Sequence, residues 1–190
     1  MKTFDTATTR AALGFEQLIP ALAEMFVTGC EVPPRHVHSL PADGGLTVLI
    51  MPAWQAGRYL GIKTVTIAPA NSALGLPGLH STYLLYDART GVPLVQMDGN
   101  EITSRRTAAA SALAASRLAR PDARRLLVVG AGRVAGLLPE AYRSVLPIEQ
   151  VTVWSRRPEA ARRLAAAWRD LGIDALAADD LATAVSQADI

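Results

Sequence analysis

Gly130-Ala131-Gly132-Arg133-Val134-Ala135 is a hexapeptide spaced to hold phosphate. It fits the pattern G-x-G-x-x-G/A, with alanine in the third small position. Gly130 permits a tight turn, Gly132 leaves room for backbone to approach a pyrophosphate, and Ala135 lets helix and strand pack closely. Arg133 and Val134 open the helix that follows, and a helix N-terminus offers free N–H groups and partial positive charge to an anion. A glycine turn kept only for packing would read the same in isolation. The apolar strand before it and a second strand at the expected distance favour nucleotide binding.

The end of that second strand selects the nucleotide. Dinucleotide-binding units for NAD usually place an acid there, for the ribose 2′-hydroxyl. This chain reads Trp154-Ser155-Arg156-Arg157, a hydroxyl followed by two guanidiniums and no acid. A 2′-phosphate needs such partners, so NADP(H) is expected in preference to NAD(H). Arg157 precedes Pro158, a residue suited to the first helical position, so the pair also reads as a solvated helix start.

Further cations lie upstream. Lys63 is one of two lysines in the chain and sits within the apolar run Leu60-Gly61-Ile62-Lys63-Thr64-Val65. An ammonium there must find an anion or shift its pKa; a strand-edge salt bridge and a ligand contact both satisfy that. Arg105-Arg106-Thr107 is read as the first turn of an alanine-rich helix, where a cation opposes the helix dipole. That suggests an anion to bind, against the plainer reading that Arg105 points to solvent. Arg35, His36 and His38 fall ahead of the first hairpin. No His/Cys/Asp cluster has metal spacing, and no G-x-S-x-G nucleophile motif occurs.

The elements that must position these groups fall into two parts. Residues 8–28 carry apolar positions at helical spacing, with Pro20 expected to kink or split the helix. From 36 to 98, short apolar runs at 46–51, 59–67, 82–86 and 93–97 alternate with turns at Asp43-Gly44-Gly45, Ala70-Asn71, Leu76-Pro77-Gly78 and Arg89-Thr90-Gly91, which suits a mainly antiparallel sheet. Asp98-Gly99-Asn100 ends the last strand. An alanine-dense helix follows over 102–119, and Pro121-Asp122 marks a boundary. Beyond it come strands at 125–129, 151–154 and 173–177, with helices at 134–145, 159–171 and 181–187. That alternation argues a doubly wound parallel sheet, with Ala188-Asp189-Ile190 approaching a fourth strand. The fold class is α/β: residues 1–121 form an α+β substrate and dimerisation part, and 122–190 the first half of a Rossmann domain, incomplete at the C-terminus.

Composition bounds the function classes. Half of the 190 residues are hydrophobic and 19% are charged, as in a globular chain. A net charge of +2 makes no case for a nucleic-acid or membrane partner. The single cysteine, Cys30, excludes a disulfide framework and suits a reducing, cytoplasmic setting. The polar first ten residues hold no signal peptide, and no apolar run is long enough for a membrane helix.

Several segments together resemble the ornithine cyclodeaminase/mu-crystallin family. They are Gly61-Ile62-Lys63, Pro69-Ala70-Asn71, Leu76-Pro77-Gly78, Thr82-Tyr83-Leu84-Leu85-Tyr86-Asp87, Thr90-Gly91-Val92-Pro93-Leu94, and Thr103-Ser104-Arg105-Arg106-Thr107-Ala108-Ala109-Ala110-Ser111, followed by the glycine turn. The likeness covers roughly residues 30–190. It implies a homodimer, and a substrate domain completed by C-terminal helices. It implies carboxylate-binding groups at Arg35, Lys63 and Arg106, a substrate contact at Thr82, Lys63 as the candidate catalytic group, and a cyclodeaminase aspartate beyond residue 190. Family chemistries include ornithine cyclodeamination with NAD, reduction of cyclic imines such as Δ1-pyrroline-2-carboxylate with NAD(P)H, and ligand binding of the mu-crystallin type. Cyclodeaminases typically carry an aspartate where Ser155 stands. The chain is therefore expected to be an NADPH-dependent reductase of a cyclic imino acid, giving proline or pipecolate.

Overall fold

Strands of five to ten residues joined by tight turns cannot bury their apolar faces alone, and they pair in sequence order. The computed structural model describes residues 1–41 and 45–190. It divides into two units, residues 1–14 with 24–103, and residues 15–23 with 104–190.

In the first unit the strands are β1 (Lys2–Thr3), β2 (His36–Leu40), β3 (Leu46–Gln55), β4 (Tyr59–Ile67), β5 (Leu79–Asp87) and β6 (Pro93–Asp98). They form one sheet in the order β1-β6-β5-β4-β3-β2, antiparallel except for β1 on β6. Helix α1 (Thr6–Ala12) is capped by Asp5, whose Oδ1 accepts from the Thr8 N–H at 2.8 Å. The turn at Arg89-Thr90-Gly91 is built by Asp87, whose Oδ1 accepts from the N–H groups of Arg89 (2.8 Å) and Thr90 (2.9 Å). Asp43 and Gly44 of the first expected turn lie outside the described residues.

Three expectations change. His36 and His38 do not precede the first hairpin; they belong to β2, pairing with Ile50 and Val48. All five residues of β2 are exposed, so the strand carries no buried alternation to betray it. The first helix breaks at Leu13-Gly14 rather than at Pro20, because Gly14 leaves the helical well at φ −58°, ψ 139°, and α2 (Phe15–Thr28) runs through the proline. Helix α3 starts earlier than expected, at Gly99, and runs to Leu118. Asp98 is both the last residue of β6 and the cap of α3, its Oδ1 accepting from Asn100 N (2.8 Å) and Glu101 N (3.1 Å). Arg105 and Arg106 therefore lie past the first turn, and the dipole argument for an anion beside them falls.

The second unit holds the parallel sheet that the alternation predicted. Strands β7 (Arg125–Val129), β8 (Gln150–Trp154) and β9 (Asp174–Ala177) lie in the order β7-β8-β9. Helices α4 (Leu138–Arg143), α5 (Pro158–Asp170) and α6 (Leu181–Gln187) connect or follow them. Val151, Val153 and Trp168 are fully buried between sheet and α5. The Trp168 indole N–H also donates to the Gly136 carbonyl at 3.2 Å. A second cluster packs Ala108, Ala109 and Ala112 of α3 on Ala141 of α4, with Phe15 and Ile19 of α2. The small alanine side chains let these helices approach closely.

Ile190 lies beside β7, its carbonyl accepting from Leu127 N at 2.8 Å. Asp189 secures that segment. It accepts from the N–H groups of Arg124 (3.0 Å) and Arg125 (2.9 Å) and pairs with the side chains of Arg120 (2.8 Å) and Arg125 (3.2 Å). The Arg125 side chain, and then the two backbone donors, hold its carboxyl well below the usual carboxylate range. A depressed native pKa contributes stability that is complete above the ordinary aspartate value of about 3.9 and fades as pH falls through the native one. Asp189→Asn is therefore expected to lower the urea midpoint at pH 7, with a deficit that begins to shrink only below about pH 4 and closes toward the much lower native value. A deficit that does not shrink with acid would show that the charge is not what holds the segment.

No single helix among the described residues is long and apolar enough to cross a membrane.

Candidate functional site

The phosphate-type turn follows β7 directly. Gly130 has φ +121°, a conformation that L side chains rarely adopt, and its N–H donates to the Trp154 carbonyl at 2.7 Å, keeping the ends of β7 and β8 together. A Cβ built on Gly132 would meet nothing within 4 Å. The glycine is therefore not required by neighbouring protein atoms, and the space beside it is open. Ala135 is buried in the core under the turn.

The expected helix over 134–145 is replaced by a 3₁₀ turn at Ala135–Leu137 and the short α4. Pro139 explains the change. It has no N–H to return to the Ala135 carbonyl, so the regular ladder cannot run through that position. The chain still coils from the fingerprint onward, with Gly136 N donating to Gly132 O at 3.2 Å. The first N–H groups of such a turn have no partner within it.

Val129, Gly130, Ala131, Gly132, Trp154, Ser155, Arg156 and Arg157 line an open cleft of about 590 Å³. It lies at the C-terminal ends of β7 and β8, where open α/β sheets bind ligands. Ser155 Oγ accepts from Arg157 N at 3.3 Å and so shapes the bend into α5. Arg156 and Arg157 are exposed, and neither makes an ion pair among the described residues. One turn further on, Arg162 takes up Glu159 (3.5 Å) and Asp179 (3.1 Å). The two cations at the cleft are thus left with their charge available to a ligand, while also standing at a helix start. Arg133 is exposed and Val134 half-buried beside the same turn.

In the first unit, sheet register decides which candidates meet. Cross-strand partners share a face, and successive residues alternate. Lys63 pairs with Met51 on one side and Tyr83 on the other. Arg35 lies just ahead of β2, outside the paired residues, and lines a small cavity with Met51 and Pro52. Lys63 occupies β4, inside the sheet, so the strand-edge reading is set aside. Its Nζ donates to Thr103 Oγ1 of α3 at 3.4 Å. Thr82 pairs with Thr64 and so points to the opposite face from Lys63; the structure does not bring them together.

Tyr83 takes the place beside Lys63 instead, a neighbour that spacing alone did not signal. Its burial, and then nearby Cys30, push the phenol pKa up. Gly61 makes room for it: a Cβ there would lie 1.9 Å from Tyr83 Oη and 2.7 Å from Cζ. Gly61→Ala is expected to cost about 1–3 kcal/mol through overpacking. In a Tyr83→Ala background the same change should cost far less, as urea denaturation of the two single variants and the double would show. Additive losses would mean that the close approach is not the cause.

Arg105 departs most from expectation. Rather than pointing to solvent it is 3% exposed, with Nη2 2.9 Å from Glu140 Oε1 and its guanidinium 4.2 Å from the Phe15 ring centre. Arg106, the next residue, is exposed. Among the described residues no group of three or more His, Cys, Asp or Glu is placed to hold a metal ion.

The family model of the ornithine cyclodeaminase/mu-crystallin family matches residues 7–190. The chain belongs to that family. It is 45% identical over 157 residues to the Delta(1)-pyrroline-2-carboxylate reductase of Paracoccus denitrificans, a match covering 82% of this chain and 49% of that protein. The structure of the Thermococcus litoralis Delta(1)-pyrroline-2-carboxylate reductase in complex with NADH and L-proline superposes with a TM-score of 0.84 at 28% identity, covering all of this chain and 60% of that one. A lysine cyclodeaminase structure gives 0.79 at 30% identity, covering 100% and 59%. The chain thus spans about half the length of the family relatives it matches.

Proposed function

We propose that the whole protein reduces a cyclic imino acid, Δ1-pyrroline-2-carboxylate or Δ1-piperideine-2-carboxylate, to proline or pipecolate, with NADPH preferred over NADH. The observation that carries the cofactor half is the cleft that joins open space at Gly132 to the unpaired cations Arg156 and Arg157. The names of the Paracoccus and Thermococcus relatives support the substrate half.

Residues 122–190 are read as the cofactor-binding part. There, Gly130, Gly132, Arg133, Val134 and Ala135 cradle the pyrophosphate, and Ser155, Arg156 and Arg157 hold the 2′-phosphate. A bound reduced nicotinamide supplies a hydride. Within 1–121, Arg35, Lys63 and Arg106 bind the carboxylate. Fixing that group sets the imine carbon at one distance and angle, and positioning of this kind lowers a barrier by several kcal/mol. Lys63 also holds a proton near the imine nitrogen, which makes the carbon a better electrophile. The reading includes a cytoplasmic homodimer.

The test is NADPH oxidation at 340 nm by the whole protein with Δ1-pyrroline-2-carboxylate, beside NADH. Faster loss of NADPH supports the reading; loss of neither overturns it. The likeness to a lysine cyclodeaminase keeps ornithine cyclodeamination as the second reading. Ammonia release from ornithine would favour it, and silence in both assays would favour a binding role of the mu-crystallin type.

A further inference from the structure

The proposed reduction asks two things of Lys63, a contact to the carboxylate and a proton held near the imine nitrogen. One ammonium cannot also give that proton away. Once it did, the lysine would be neutral while the carboxylate still needs a counter-charge. The proton that ends on nitrogen needs another source.

The sheet places one beside Lys63. Tyr83 of β5 pairs with Lys63 of β4, so both side chains rise from the same face. The phenol leans across β4, and its Oη occupies the place that a Gly61 Cβ would take. Gly61 is two residues from Lys63, about 7 Å along the strand. An imine ring with a 2-carboxylate spans such a gap, its carboxylate at the ammonium and its nitrogen at the hydroxyl. Among the described residues the Tyr83 hydroxyl has no hydrogen-bond partner. A half-buried hydroxyl left without one costs stability, and phenylalanine would fill the same space without that cost. Burial, and then nearby Cys30, push the phenol pKa up, so the proton stays on oxygen until a base arrives.

Resting on the imine-reductase reading, we infer that Tyr83 is a catalytic residue, which gives its hydroxyl proton to the ring nitrogen as hydride reaches the imine carbon. A C–H bond forms at that carbon, and the C=N π pair takes the proton from the phenol oxygen. The imine is reduced and the nicotinamide oxidised. The phenolate left behind shares its face with the Lys63 ammonium, which stays charged, and regains its proton from water.

The test uses Tyr83→Phe in the whole protein. The change removes one oxygen atom and keeps the packing, so the melting temperature is expected to equal or exceed that of the wild type. With Δ1-pyrroline-2-carboxylate, kcat should fall about 100-fold, while KM stays within threefold and NADPH affinity within twofold. Calorimetry gives a readout that needs no turnover. Pyrrole-2-carboxylate, whose ring N–H can donate to the phenol oxygen, should bind the variant about tenfold more weakly than the wild type. Cyclopentene-1-carboxylate, which has no nitrogen, should bind both alike. A merely structural role would move both ligands together.

A kcat within threefold of wild type in Tyr83→Phe, or equal weakening of the two ligands, overturns the inference alone. So does a wild-type protein that binds pyrrole-2-carboxylate no tighter than the nitrogen-free ring. A wild-type protein that oxidises neither NADPH nor NADH with the imine overturns the reductase reading, and the inference with it.

Discussion

Gly132→Val is expected to weaken NADPH binding by 100-fold or more while leaving the melting temperature almost unchanged. The reason is that no protein atom lies within 4 Å of where its Cβ would project, and its φ is not in the left-handed region. A Cβ meets no neighbour there, and the branched side chain beyond it stands in the open space at the mouth of the turn. A pyrophosphate displaced there by a methyl's width loses several short, charge-assisted contacts to backbone N–H groups at once. Loss of about 2.7 kcal/mol is enough for a hundredfold effect. Gly130 supplies the contrast. Its φ of +121° makes any side chain strained, so Gly130→Val should lose about 1–3 kcal/mol of stability as well as affinity. Calorimetric titration with NADPH and thermal melts on both variants separate the cases. A Gly132→Val protein that binds NADPH within threefold of wild type would mean that no pyrophosphate occupies this space.

The parts of the molecule legible from sequence are those in which one local signal decides. The strand, glycine turn and strand over 125–154 are such a case, because hydrophobic runs and a fixed glycine spacing both act at short range. Four of the six strands in the sheet were legible through their turns; β2, whose exposed residues show no buried alternation, and the two-residue β1 were not. Helix α3 was placed three residues late because Asp98 does two tasks, ending a strand and capping a helix with no linker between. The fate of Arg105 was not legible at all. The buried arginine meets a carboxylate 35 residues away and an aromatic ring 90 residues before it, and neither leaves a mark near position 105. Thr82 is the reverse case. Its place in a family-like segment suggested a common site with Lys63, but pairing register, which no single strand encodes, turns it to the other face.

Replacing both Arg156 and Arg157 with alanine is expected to weaken NADPH binding about 50-fold and to leave NADH binding within twofold. A hydrogen bond to an ionised group contributes about 1.5–3 kcal/mol. Both arginines are exposed, so solvent screening holds each toward or below the low end of that range, and two together give a factor of tens rather than thousands. NADH lacks the 2′-phosphate and has no comparable charge for them to meet. Adding Ser155→Asp should then invert the preference, since a carboxylate at the end of β8 accepts from a 2′-hydroxyl and repels a phosphate. Acid provides an internal check. A phosphate monoester loses its second charge below a pKa of about 6, so the wild-type preference for NADPH should shrink between pH 8 and pH 5.5, while the double-alanine variant shows little change. Raised salt should act in the same direction, because exposed charges are screened within about 8–10 Å. Equal weakening of NADPH and NADH by the double replacement would assign the two arginines to the helix start instead, and the preference for NADP(H) would have no residue to carry it.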